Sequence, residues 1–414
     1  MAVKLFRRRL ARVALWALLF PAALVALAAC GPEPTPPPEP VTITFDSPNA
    51  DAEGHEALVE AFNGEHPWVT VELRRSMSGQ ADVFVAPAYL VGVLRDEGAI
   101  VSLDPYIERD NTFDLADYHP AAVRHVQADG RTWAVPYGID PIVLYYNADL
   151  FAAYGVQPPD GAWNWEEFLA AAKALRDERA GTFGYVSADH MLSALAFIYQ
   201  HGGWILDDLE HPTRPTLGDP RVIEAVDWYA GLIHHHNVAP TAEQLRMEPF
   251  QGTAAVGVYA GKVGMWMGFF SERGGAGTAT NWPGKWPMRW GMAPLPQDAR
   301  AGTIAIVQGY VISASAKSPD ACWEWISYLS KQPTSGAIPA RRSLLEGKTY
   351  ERLVGEADAA LARRAMGDAE LLSPQLSGFL PAFERFSQAM YRIVNGSATA
   401  EEALTAAQRS LDGR

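Results

Sequence analysis

Cysteine is nearly missing from this chain: there are two in 414 residues, Cys30 and Cys322. Two thiols cannot build a disulfide framework. Cys322 lies in an apolar helical pattern and is expected to be a buried, inert thiol. Basic charge is also scarce, with 34 Lys and Arg against 48 Asp and Glu and a net charge of −14. A nucleic-acid surface needs clustered cations, and none cluster beyond the first few residues, so nucleic acid is not an expected partner. The acidity reads as a means of staying soluble. No GxSxG and no HExxH occurs. Gly347–Thr349 (GKT) looks like the end of a phosphate loop, but Arg342 stands where that loop needs Gly, and no strand signal precedes it. His234, His235 and His236 are consecutive, so on a helix they fan out by about 100° each and cannot converge on one metal. No metal or cofactor is expected. With 48 acidic residues a glycosidase pair can always be imagined, so carboxylates carry no signal here. The body shows no internal repeat and no polar linker.

The remaining composition is that of a globular protein, 48% hydrophobic and 20% charged. The length exceeds one ordinary core, so two lobes are expected. Aromatics reach 11%, with 13 Trp, suited either to flat apolar ligand surfaces or to large cores. The chain opens with Lys4, Arg7, Arg8, Arg9 and Arg12, followed by an apolar run from Val13 to Ala26 and the sequence LAAC ending at Cys30. This order resembles a bacterial lipoprotein signal, in which the Cys after the cut is acylated and becomes the new N-terminus. The rival is an uncleaved anchor, for which the run is short. Gly31–Pro40, GPEPTPPPEP, is expected to be an extended polyproline spacer holding the body a few nanometres off a membrane.

Strand-like runs are Val41–Phe45, Trp68–Leu73, Ala81–Pro87, Ile142–Tyr146, Val263–Met267 and Gln308–Ser313. Helix starts are marked by Asn164 with Glu167, by Asp219-Pro220, by Ser318-Pro319 and by Thr399 with Glu402. Leu58 and Phe62 share one helix face. Alternation of strands and helices implies an α/β fold with helices on both sheet faces.

Several segments in order resemble the family-1 extracellular solute-binding proteins of ABC importers, the maltose-binding-like branch. They are AFNGEHPWVTVEL (61–73), ADVFVAPAYLVGVLRDEGAIVSLDPYI (81–107) and DGRTWAVPYGIDPIVLYYNADLFAAYGV (129–156), which runs on into NWEEFLAAAKAL. Then come HGGWILDD (201–208), GKVGMWMGFF (261–270), QGYVISASAKSPDACWEWISYLS (308–330) and AIPARR (337–342). The resemblance implies a two-lobe periplasmic-binding-protein fold of type II, with a ligand cleft between lobes joined by several crossings, near 139–141, 297–302 and 341–346. It implies a signal peptide over 1–29, lipidated Cys30 and spacer over 30–40, one lobe of 41–139 plus 302–341 and another of 140–301 plus 342–414. It implies binding without chemistry: a monomeric extracytoplasmic receptor, anchored to the cell membrane through Cys30, that passes a mono- or oligosaccharide to permease subunits. Ala86-Pro87-Ala88-Tyr89 departs from the maltose branch, which places Trp and charged groups there, so maltose itself is in doubt. A polyamine, peptide or phosphorylated polyol on the same fold is the alternative, and a structural or adhesive surface lipoprotein a more remote one.

Ligands in open α/β sheets lie beyond strand ends, which selects the candidates. Asn49, with Ser47, follows the first strand and could bind ligand or cap the next helix. Tyr89 lies on the departing stretch. Tyr137 and Asp140 fall in the first crossing, where a carboxylate could accept two sugar hydroxyls or be satisfied by backbone donors. Asp189 and His190 open a helix whose N-terminus could face the cleft. Trp204, Trp266, Phe269 and Phe270 could stack on sugar C–H faces, Trp266 having core packing as its first alternative. Gln308 and Tyr310 belong to a later strand. Arg341 could hold an anion or form an interlobe salt bridge. Trp282, Trp286 and Trp290 recur in a Pro- and Gly-broken stretch that reads as a loop, a lid over the cleft or an anchor between lobes.

Overall fold

The computed structural model describes residues 39–48, 53–159, 163–276 and 282–413. The chain divides into two units, Met1–Pro40 and Val41–Arg414. Cys30, the signal segment and Asn49 lie outside the described residues. Among those described, no helix is long and apolar enough to cross a membrane.

Among the described residues the main sheet of the second unit has ten strands: β1 (Val41–Asp46), β2 (Val69–Arg74), β3 (Val83–Pro87), β4 (Val135–Asn147), β5 (Phe183–Ser187), β6 (Val263–Phe269), β7 (Trp290–Ala293), β8 (Thr303–Ile312), β9 (Ile338–Pro339) and β10 (Ala369–Leu371). Their order is β2–β1–β3–β8–β4–β6–β5, with β7 and β9 also on β4 and β10 on β8. β1 runs parallel to β2 and β3, whereas β8 runs antiparallel to both β3 and β4. β4 changes partner midway: Val135–Pro141 face β8, and from Ile142 onward the strand faces β6 and β7.

Local chemistry explains the helices that flank this sheet. Before α1 (His55–Glu65), Gly54 takes φ 70, a left-handed turn open to glycine. The helix then buries His55, Val59 and Phe62, an i, i+4, i+7 stripe. α2 (Ala88–Asp96) follows β3 directly. α3 (Trp165–Leu175) starts on the Asn164–Glu167 capping box. α4 (His190–Gln200) starts on Asp189, and α5 (Pro220–His234) on Asp219 with Pro at its first position. α6 (Pro319–Leu329) follows Ser318, whose hydroxyl makes no capping bond. α7 (Leu380–Val394) and α8 (Ala400–Asp412) close the chain, the latter on the Thr399–Glu402 box.

The buried side chains form separate cores. One gathers β1–β3, the first half of β4, β8 and α6, with Phe45, Phe62 and Trp325 at its centre. A second gathers α3, α4, α5, α7 and α8 against the later half of β4. A third holds Tyr145, Trp266, Trp286 and Tyr350. Cys322 is fully buried in the first, and burial pushes its thiol up to about 12. The Trp282–Trp286–Trp290 stretch is part of the third core, its rings edge to face at 5.0 and 5.3 Å. Trp290 is no loop residue, because it opens β7 and pairs with Asn147.

Candidate functional site

Strand register gathers some of the candidates and scatters others. On β8, Gln308 stands opposite Pro87 on one side and Gly138 on the other. Pro87 is two residues from Tyr89, and Gly138 adjoins Tyr137. Phe269 ends β6 opposite Ile142, just past the change of partner on β4. Tyr89, Tyr137, Phe269 and Gln308 are all half-buried, so each keeps some surface. The Gln308 side chain has no hydrogen-bond partner among the described residues, which leaves a half-buried amide with its donors and acceptor unused. Tyr89 leaves the first core at β3 and packs against the second, so it spans the two.

Behind Tyr137 lies a buried polar chain. Tyr137 stacks on Tyr310 with ring centroids 4.2 Å apart. Tyr310 Oη is 2.8 Å from His55 Nε2, and His55 Nδ1 is 2.8 Å from Ser47 Oγ. Burial pushes His55 down to about 3, so the imidazole stays neutral and shares single protons with the two hydroxyls. Ser47 therefore serves this chain and does not cap α1, which has no side-chain cap. Tyr310 is fully enclosed, a support for Tyr137 with no surface of its own.

Asp140 is turned inward. One carboxylate oxygen accepts the Ser271 N–H at 2.9 Å, the other the Ser271 hydroxyl at 2.6 Å. The residue is 6% exposed, and burial, opposed by those two bonds, pushes the carboxyl up to about 6. An aspartate open to sugar hydroxyls is not what the structure holds; backbone and serine donors satisfy it. Trp266 and Phe270 are likewise fully buried, Trp266 edge-on to Trp286 at 4.8 Å, and offer no stacking face. Arg341 pairs with Asp117 at 2.6 Å and donates to the Ser330 carbonyl. Its guanidinium is committed to Asp117 and Ser330.

α4 separates three further candidates, two at its start and one beyond its end. Asp189 accepts the Leu192 N–H at 3.1 Å as a plain N-cap, and His190 Nδ1 is 2.5 Å from Tyr229 Oη. Trp204 lies beyond the opposite end of this 11-residue helix, which spans about 16 Å. It lines a separate cavity of about 440 Å³ with Asp207, Arg221 and Arg300. Asp189 or His190 and Trp204 cannot touch one small ligand.

Two buried polar residues, Glu53 and Ser271, and the partly buried Arg273 were not singled out in the sequence. Glu53 is 2% exposed and accepts the Ala337 N–H at 3.1 Å. Arg273 donates to the Phe270 and Gly336 carbonyls at 3.0 Å each, and to that of Ser335. Nothing in a run such as SPNADAEGHE tells a buried glutamate from a solvated one.

Comparison with known proteins matches residues 49–333 to the family described as bacterial extracellular solute-binding protein. The sn-glycerol-3-phosphate-binding periplasmic protein of Rhizobium meliloti is 29% identical over 135 residues, 31% of each chain. The chain thus aligns with about a third of the length of that curated relative. Solved structures agree over far more of the fold. An ABC substrate-binding protein of Listeria monocytogenes in complex with cycloalternan superimposes with a TM-score of 0.77 at 20% identity, covering 91% of this chain and 99% of the other. A maltose-bound protein of T. maritima gives 0.73 at 18%, with 90% and 99% covered. A Mycobacterium tuberculosis protein in complex with glycerophosphocholine gives 0.74 at 20%, with 90% and 98% covered. The fold is therefore the two-lobe one of periplasmic binding proteins, and the chain belongs to the bacterial extracellular solute-binding protein family, a family of binding proteins and not of enzymes.

Proposed function

We propose that the chain is an extracytoplasmic receptor that closes two lobes on a neutral polyhydroxylated ligand, a mono- or oligosaccharide, and hands it to the permease of an ABC importer. Its lobes would be 41–139 plus 302–341 and 140–301 plus 342–414, with Cys30 carrying a lipid and Gly31–Pro40 acting as spacer. The observation that carries the ligand class is the unpartnered Gln308 amide between Tyr137 and Tyr89. A planar amide can give and take hydroxyl hydrogen bonds while aromatic faces receive C–H groups. Arg341 and Arg342 at the third crossing, and Arg273 just past β6, are already spent on carbonyls and carboxylates, which weighs against a phosphorylated ligand held by them. A glycerol-phosphate class remains the second reading because of the Rhizobium relative.

A thermal-melt panel tests this. Maltose, D-tagatose, D-mannitol and ribitol, ligands of structural neighbours, are set against glycerophosphocholine. A ligand at a hundredfold its Kd stabilises by about 2.7 kcal/mol, enough to raise Tm by several degrees. A shift with a neutral member and none with glycerophosphocholine supports the proposal. A shift with glycerophosphocholine alone sinks it.

A further inference from the structure

The wall behind the proposed ligand face is held by groups that keep no surface of their own. Tyr137 is half-buried, and its hydroxyl has no hydrogen-bond partner among the described residues. Its ring is therefore placed by what it packs on. One face lies on Tyr310, with centroids 4.2 Å and planes 15° apart, and the His55 imidazole packs edge to face against it at 6.1 Å. Tyr310 stands on β8 opposite Val85 of β3 and Val135 of β4, which fixes its backbone. The far end of its side chain is held by His55 Nε2 at 2.8 Å, its one hydrogen bond among the described residues. Ser47 Oγ holds His55 in turn, 2.8 Å from Nδ1, and Phe45 packs edge to face against the His55 and Tyr310 rings at 5.2 and 6.0 Å. Ser47 is 1% exposed, and His55 and Tyr310 are fully enclosed.

We infer that His55 is a positioning residue for ligand binding: its Nε2 holds the Tyr310 hydroxyl, which fixes the ring on which Tyr137 lies, so the Tyr137 face is already formed in the ligand-free receptor. Ser47, His55, Tyr137 and Tyr310 all fall within one proposed lobe, 41–139 plus 302–341, so the arrangement does not wait for closure. A phenol is a stronger donor than an alkyl hydroxyl. Tyr310 Oη–H therefore donates to Nε2, and the single imidazole proton, on Nδ1, is donated to Ser47 Oγ. A Tyr310 ring released from His55 would let Tyr137 take more than one orientation, and binding would then bear the entropy of ordering it. The inference rests on the receptor proposal only for Tyr137 meeting the ligand.

Two isosteric replacements test it, because a glutamine amide reaches where Nε2 stands and an asparagine amide where Nδ1 stands. His55→Gln keeps the bond to Tyr310; His55→Asn keeps the bond to Ser47 and drops the other. Tyr310→Phe keeps the stack without the hydroxyl and carries the test if His55→Asn does not fold. Maltose, D-tagatose, D-mannitol and ribitol are the calorimetric probes. His55→Asn and Tyr310→Phe should each weaken binding about three- to tenfold, the double mutant no further, and His55→Gln by less than about twofold. A second readout needs no ligand: fluorine NMR of the protein carrying 3-fluorotyrosine in place of Tyr137. One sharp line is expected in the wild type and in His55→Gln, and a broadened or split one in His55→Asn and Tyr310→Phe. A histidine that only stabilises the fold would lower the melting temperature in the variants and leave affinity and the fluorine line unchanged, which overturns the inference. Additive losses in the double mutant overturn it as well. If none of the four solutes binds the wild type, the neutral-ligand proposal fails, and the fluorine lines alone decide whether His55 places Tyr137.

Discussion

At the scale of single residues, the difference between Gln308 and Asp140 separates ligand contact from support. Gln308→Ala removes an amide with no partner, so stability should hardly change while affinity for the ligand falls about tenfold. Urea melts and calorimetric titration of the same preparation measure both. Asp140→Ala should do the opposite: it leaves the Ser271 N–H and hydroxyl unpaired in a buried place and should cost roughly 2–5 kcal/mol, with affinity unchanged in the folded fraction. A tenfold loss of affinity at full stability would return Asp140 to the ligand. The pH dependence has a definite sign. Asp140 and Glu53 both have carboxyls raised on folding, to about 6 and about 7. The stability they contribute is fully present below their ordinary values and is lost as pH rises through the raised ones. Stability should therefore fall between about pH 4 and pH 7 from these two groups. Asp140→Asn should flatten the acid part of that fall in denaturant melts at stepped pH. An undiminished slope would mean that Asp140 ionises freely.

At the scale of elements, the second core depends on close approach. Gly184 on β5 brings the strand so near α3 that a Cβ would lie 1.9 Å from the Ala172 carbonyl oxygen. Gly184→Ala should thus force the helix off the sheet and lower the melting temperature by many degrees. Trp286→Ala should cost about 3–5 kcal/mol as a core cavity and leave affinity alone, which a melt and a titration would show. An affinity loss without destabilisation would instead support a lid. Helix starts were readable because capping is local: Asn164, Asp219 and Thr399 all bond the backbone as their spacing implies. Ser318 marks the right place without making the bond. β4 was legible only over Ile142–Tyr146, because Pro136, Gly138 and Pro141 look like breakers. The sheet accepts them where β8 bulges at Gln308/Gly309 and where β4 changes partner. Tyr137 and Gln308 could be nominated from their segments, yet the register that brings them together is a long-range property. Glu53 and Arg273 were not legible, since burial of a charged group depends on chain that arrives from elsewhere.

At the scale of the molecule, the proposal requires a body with a closing cleft, held near a membrane. Cys30→Ser should release the protein from the membrane fraction into the soluble one, seen by fractionation and immunoblotting, with ligand affinity intact. Retention in the membrane would favour an uncleaved anchor. The central claim is the class of ligand held between the lobes, and native mass spectrometry of the protein as purified from its own cells tests it most directly. A neutral carbohydrate or polyol adduct, one per chain and absent from Gln308→Ala, is the expected result. A phosphate-bearing or cationic adduct, bound as well by Gln308→Ala as by the wild type, would contradict it.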